Sequence, residues 1–144
     1  MKYLVFISLL IAPLAFALDI QQLKSHGGAL IANVTPNYAF EHMSDATGDF
    51  MFLKKEIGRN GNRPLWEVVD HLSLGQIDSK DTLYYAMCNY RGKFEPKIVA
   101  IAEYEADKEV NAKVKNAWIA DIEHGGFVSV PVNDVECFNE GFAV

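Results

Sequence analysis

Between Tyr3 and Leu14 the chain carries almost no polar group, and this run ends at Ala15, Phe16, Ala17, with small residues at both positions that a signal peptidase reads. Lys2, the apolar run and the small-residue site follow in the order of an export signal, so residues 1–17 are expected to be removed and Leu18 to be the mature N-terminus. The rival reading is a membrane anchor. The apolar stretch from Tyr3 to Leu18 is 16 residues, however, and a spanning helix needs roughly 20. No later segment is apolar for long enough to span, so a soluble product, secreted or periplasmic, is expected. This bounds what folds to about 127 residues, 18–144, enough for one domain with a core and too few for two.

The same export reading governs the cysteines. Cys88 and Cys137 are the only two, and in an oxidising compartment an even pair normally becomes a disulfide. Such a bond would close a loop of about 50 residues, worth about 4 kcal/mol in the chain-entropy model. The alternative, one cysteine as a nucleophile beside a histidine base, would leave an unpaired thiol outside the cell.

Charge narrows the partners. The chain has 13 basic and 19 acidic side chains; losing Lys2 and no acid with the signal leaves 12 against 19, a net of −7. Nucleic acid and anionic lipid draw their affinity from clustered Lys and Arg, so neither is expected, and a basic protein partner fits better.

Along the mature chain, Ile20, Leu23, Leu30 and Ile31 fall roughly at helical spacing behind Asp19 as N-cap, which predicts a short helix ending near His26, before Gly27 and Gly28. Residues 33–63 read as the least regular part, with Pro36, Gly48–Asp49, a turn-rich run from Gly58 to Arg63, and the apolar patch Phe50 to Leu53 as a short strand or helix turn. After Pro64 the period becomes two, with Trp66, Val68, Leu72 and Leu74 sharing a face on which Asp70 is the polar exception. A helix built on Leu65, Val68, Val69 and Leu72 fits nearly as well; the β-branched and aromatic content favours a strand. Further strands are read at Thr82 to Tyr90, Ile98 to Tyr104, Val114 to Ile122 and Phe127 to Val132, with turns at Asn89 to Lys93 and Glu123 to Gly126. The expected fold is therefore α+β: residues 18–63 irregular or helical, residues 64–141 an antiparallel meander of about five strands, and the N-terminal helix across one face.

The closing segment, with Ala117, Trp118, Phe127, Pro131 and then Cys137, Phe138, Asn139, Glu140, Gly141, resembles the ending of small exported proteins of gram-negative bacteria. The likeness spans roughly residues 65–141. It implies export and a sheet, and no chemistry.

Motifs with chemical meaning are sparse. His26, His42, His71 and His124 stand far apart in sequence and show no metal-ligand spacing, so neither a metal nor a cofactor is called for; convergence in space is not visible at this level. Asp70 and His71 are adjacent, and on a strand they point to opposite faces. The His-Gly-Gly triplets at 26–28 and 124–126 lack a nucleophile elbow and read as turns, as does the Gly58 to Arg63 run. Asn33, Val34, Thr35 has the form of a glycosylation acceptor.

Two classes of function remain. A non-enzymatic protein-binding module is favoured, with no catalytic residue assigned and with Tyr85, Tyr104 and the nearby acid Glu103 as binding residues, because alternation sends some of these tyrosines outward and tyrosine serves interfaces well. The alternative is a small exported hydrolase built around Asp70 and a histidine.

Overall fold

The computed structural model describes residues 18–142; the expected signal segment and its cleavage site lie outside the described residues. Strand takes up 61% of it, and its helical content consists of 3-10 turns, two of them at Ile20–Gln22 and Val132–Asp134. The chain is thus nearly all-β, in three antiparallel sheets, and the expected α+β fold with an N-terminal helix is overturned.

The first sheet is a meander of β1 (Lys24–Leu30), β2 (Tyr38–Asp45), β3 (Gly48–Asn60) and β4 (Arg63–Gly75). Asp19 does act as a cap, its Oδ1 accepting from the Gln21 backbone N–H at 3.2 Å, but the turn it starts is three residues long. The residues that follow pair with β2 instead of continuing a helix. Gly27 and Gly28 are what permits this. The register slips between Ser25 and Gly27 with Gly27 at φ 105°, making a bulge, and a β-carbon on Gly28 would collide with the backbone carbonyl of Phe40. The first glycine pair is therefore a bulge inside a strand and not a turn.

Residues 38–60, expected to be irregular, form the long β2 and β3. Phe50, Met51, Phe52 and Leu53 are all buried because β3 is covered on both faces: Met51 and Leu53 lie with Phe40 and Tyr38, while Phe50 and Phe52 lie with Met43 under Leu18 and Leu23. A strand covered on both faces loses the alternation by which strands are recognised. β4 is a strand as expected, but a register shift opposite Leu53 and Lys54 places Val69 with Asp70, Leu72 and Leu74 on its half-buried positions.

The second sheet, in the order β11-β10-β8-β5, contains β5 (Asp81–Tyr85), β8 (Ile98–Glu103), β10 (Val114–Asp121) and β11 (Gly126–Ser129). The third, β7-β6-β12-β9, contains β6 (Cys88–Tyr90), β7 (Lys93–Glu95), β9 (Val110–Asn111) and β12 (Val135–Phe138). The stretch Thr82 to Tyr90 is not one strand, because Ala86 takes φ 59° and the chain passes there from the second sheet to the third. The turns at Arg91–Gly92 and Gly125 fall where expected, all three residues at positive φ.

The second sheet is the middle layer. Ile98, Ala100 and Ala102 of β8 join Tyr84, Val114, Ala117, Val135 and the cysteines, while Val99 joins Phe40, Met51 and Leu53. Cys88 and Cys137 are opposite one another on β6 and β12 and are joined by the expected disulfide, which closes 49 positions of sequence. No helix among the described residues is long and apolar enough to cross a membrane.

Candidate functional site

β1 and β5 each stand at the edge of their sheet, and a hollow of about 310 Å³ lies where they approach, lined by Gly28 and Ala29 from β1, Leu83 and Tyr85 from β5, and Met87 and Glu140. A second hollow of about 210 Å³ adjoins it, sharing Leu83, Met87 and Glu140 and adding Tyr84, Tyr104 and Gly141. Tyr85 and Tyr104 therefore line neighbouring parts of one groove, mixed in lining beside Tyr85 and more apolar beside Tyr104, with an acid on its rim.

Tyr85 is half-buried, its ring edge-on to Phe40 at 6.4 Å between centroids. Burial, and then the charge of Glu140, raises its phenol above the ordinary tyrosine value, so it stays a neutral hydrogen-bonding tip on an apolar body. Tyr104, the residue after β8, is 46% exposed, with its hydroxyl near Gly141. Tyr84, the residue before Tyr85 on β5, points into the core: it is 4% exposed, accepts from Asn111 Nδ2, and is held above the ordinary tyrosine value by burial. Glu103 does not line either hollow. It sits across from Asp81, and the Lys115 ammonium that pairs with Asp81 at 2.7 Å also feels its charge.

The groove's far wall depends on the chain's closing segment. Asn139 Nδ2 donates to the carbonyls of Glu105 and Lys108, and its Oδ1 accepts from the Gly141 N–H. This ties residues 139–141 to the loop after β8, fixing Glu140 beside the tyrosines. Sequence reasoning missed Glu140 because its place depends on Asn139, which had no visible role.

Asp70 and His71 part company as the strand geometry requires. Asp70 Oδ2 accepts from the Phe127 backbone N–H at 2.8 Å, fastening β4 to β11, while His71 is exposed and stacks on Phe52 at 5.6 Å. Among the described residues no histidine hydrogen-bonds Asp70. His124 bonds Asp121 instead, Nδ1 to Oδ2 at 2.7 Å, and this bond holds the Asp121 carboxyl below its ordinary value.

His26 and His42, 16 positions apart in sequence, are brought together by the β1–β2 pairing. Their rings lie 4.7 Å apart between centroids, His42 Nε2 is 2.6 Å from Asp49 Oδ1, and His26 Nε2 is 2.6 Å from Ser44 Oγ. The potential donor atoms of His26, His42 and Asp49 all fall within 4.8 Å of one another. No family model, curated protein or solved structure matches the chain.

Proposed function

We propose that this protein is an exported, non-enzymatic recognition domain, acting in the periplasm or outside the cell, whose groove between β1 and β5 receives an extended, basic segment of a partner protein. The observation that carries this reading is that Tyr85 on β5 and Tyr104 just past β8 line adjoining hollows that share Leu83, Met87 and Glu140. Rigid aromatic bodies with polar tips, set in a depression with an acidic rim, are what anchor and orient a protein partner. The two flanking edge strands add main-chain donors and acceptors for an extended peptide. The excess of 19 acidic over 13 basic side chains favours encounter with positive surfaces, and Glu103 and Glu140 contribute to that field near the groove.

Affinity capture with the disulfide-intact domain from periplasmic and culture-medium extracts identifies the partner. Tyr104→Ala then weakens binding at least about tenfold with the fold intact, as expected for an exposed aromatic anchor. Tyr85→Phe, which keeps the packing on Phe40, weakens it less, and Glu103→Gln mainly slows association at low salt. Normal binding by both Tyr104→Ala and Tyr85→Ala, or loss only through unfolding, places the interface elsewhere.

A further inference from the structure

The histidine and carboxylate cluster at the free end of the first sheet is built from three successive strands, one donor from each: His26 from β1, His42 from β2, Asp49 from β3. The placement follows from register. On β2, His42 and Ser44 continue the face that Phe40 begins, since alternate residues share a side. Ser44 is directly opposite Asp49, which puts the carboxylate diagonally across from His42. His26 occupies the bulge between Ser25 and Gly27, the one irregularity in the β1–β2 ladder, and a bulge is a device that re-aims a side chain.

We propose that His26, His42 and Asp49 bind a divalent transition ion of the zinc, nickel or copper(II) kind. Two imidazole nitrogens with one carboxylate oxygen form a donor set those ions favour, whereas calcium and magnesium demand more oxygen donors than the cluster has. Donors bound at about 2.1 Å around a tetrahedral ion lie about 3.4 Å apart. The His42–Asp49 pair, at 2.6 Å, must open by about 1 Å, and the remaining separations, none above 4.8 Å, are within reach of that spacing by side-chain rotation. His42 and Asp49 have side chains 19% and 24% exposed, so the inner donors are held by their surroundings; His26 is on the solvent side and closes over the ion. Three protein donors leave a fourth position for water or for a group brought by another molecule. The proposal is independent of the groove: the cluster shares no residue with either hollow.

Calorimetric titration of the tag-free, disulfide-intact protein with zinc chloride tests it, with nickel chloride alongside and magnesium and calcium chloride as comparators. One equivalent of zinc binds, magnesium and calcium do not, and the imidazole resonances of His26 and His42 move in the NMR spectrum while those of His71 and His124 stay in place. His26→Ala, on an exposed edge strand where the fold tolerates it, lowers zinc affinity at least about tenfold, as do His42→Ala and Asp49→Asn, while His124→Ala leaves it unchanged. Zinc affinity that survives His26→Ala, an equal loss on His124→Ala, or resonance shifts confined to His71 and His124 would overturn the assignment.

Discussion

On the side of the middle sheet that meets β1 to β4, contact is made by large side chains. Phe40 stacks on Phe127 at 6.0 Å and meets Tyr85 edge-on, with Met51 and Leu53 fully buried beside them. On the side that meets β6, β7, β9 and β12 the middle sheet sets the alanines Ala100, Ala102 and Ala117 beside Tyr84, Ile98 and Val114, and the third sheet answers with Val135, a disulfide and the wholly buried Asn111. Asn111 donates to the Tyr84 hydroxyl and accepts from the Glu105 N–H at 3.0 Å. The first boundary draws on packed aromatic rings; the second, with a single buried ring, adds a covalent link and satisfied buried polar groups. The third sheet is also made of strands of two to four residues, too short to be stable without such fastening.

The comparison can be broken most severely at Phe40. Phe40→Ala, at a site 1% exposed, costs about 4 kcal/mol in denaturant unfolding, because the rings around it cannot collapse into the gap. Removing the disulfide by Cys88→Ala with Cys137→Ala costs about 3 kcal/mol, and its effect is localised. Hydrogen exchange then shows β6, β9 and β12 losing protection ahead of β2, β3 and β4; equal loss in all of them would mean the two boundaries are not separate. Asn111→Ala costs about 2 kcal/mol by leaving the Tyr84 hydroxyl and Glu105 N–H dry, and Asn111→Asp costs no less.

Much of the middle layer, and β4 of the first sheet, was legible. β4, β8, β10, β11 and the Gly125 turn are carried by local pattern, because each strand's alternation or β-branched run survives in the sequence, and the disulfide followed from the even cysteine count and the expected compartment. β2 and β3 were not legible, since Phe50 to Leu53 are buried on both faces and register shifts interrupt β3 against β4. β1 was hidden by a competing helical spacing that loses to pairing with β2. Tyr85 and Tyr104 could be singled out by type, but that they line adjoining hollows depends on Glu140 and on the switch at Ala86. The approach of His26 to His42 was out of reach, because it rests on strand register and one bulge.

The smallest expected effect lies at neither boundary and calibrates both. On the outer face of the first sheet, Glu41 pairs with Lys54 and accepts from Ser25 Oγ at 2.8 Å. Partial burial pushes its pKa up, but those two partners outweigh it, and the net shift is downward. A carboxyl depressed by folding stabilises above its unfolded pKa and loses that contribution as pH falls through the lower folded value. Unfolding measured from neutral pH down through the carboxylate range should therefore fall slightly more steeply for the native chain than for Glu41→Gln; parallel curves would assign the acid sensitivity to other groups.

The disposition of the sheets along the chain also sets an order of arrival. Everything in the first sheet lies within residues 24–75, whereas the second and third sheets interleave and the third is complete only when β12, ending at Phe138, is in place. A chain delivered N-terminus first can zip its meander from hairpins while the layer meant to cover Phe40, Met51 and Leu53 is still missing. For that interval an aromatic-rich sheet with two open edges stands in water, the kind of species that associates with its own copies. For a chain that emerges N-terminus first, the vulnerable moment is thus the half-made one, in which residues 38–53 stay uncovered until β11, ending at Ser129, has followed.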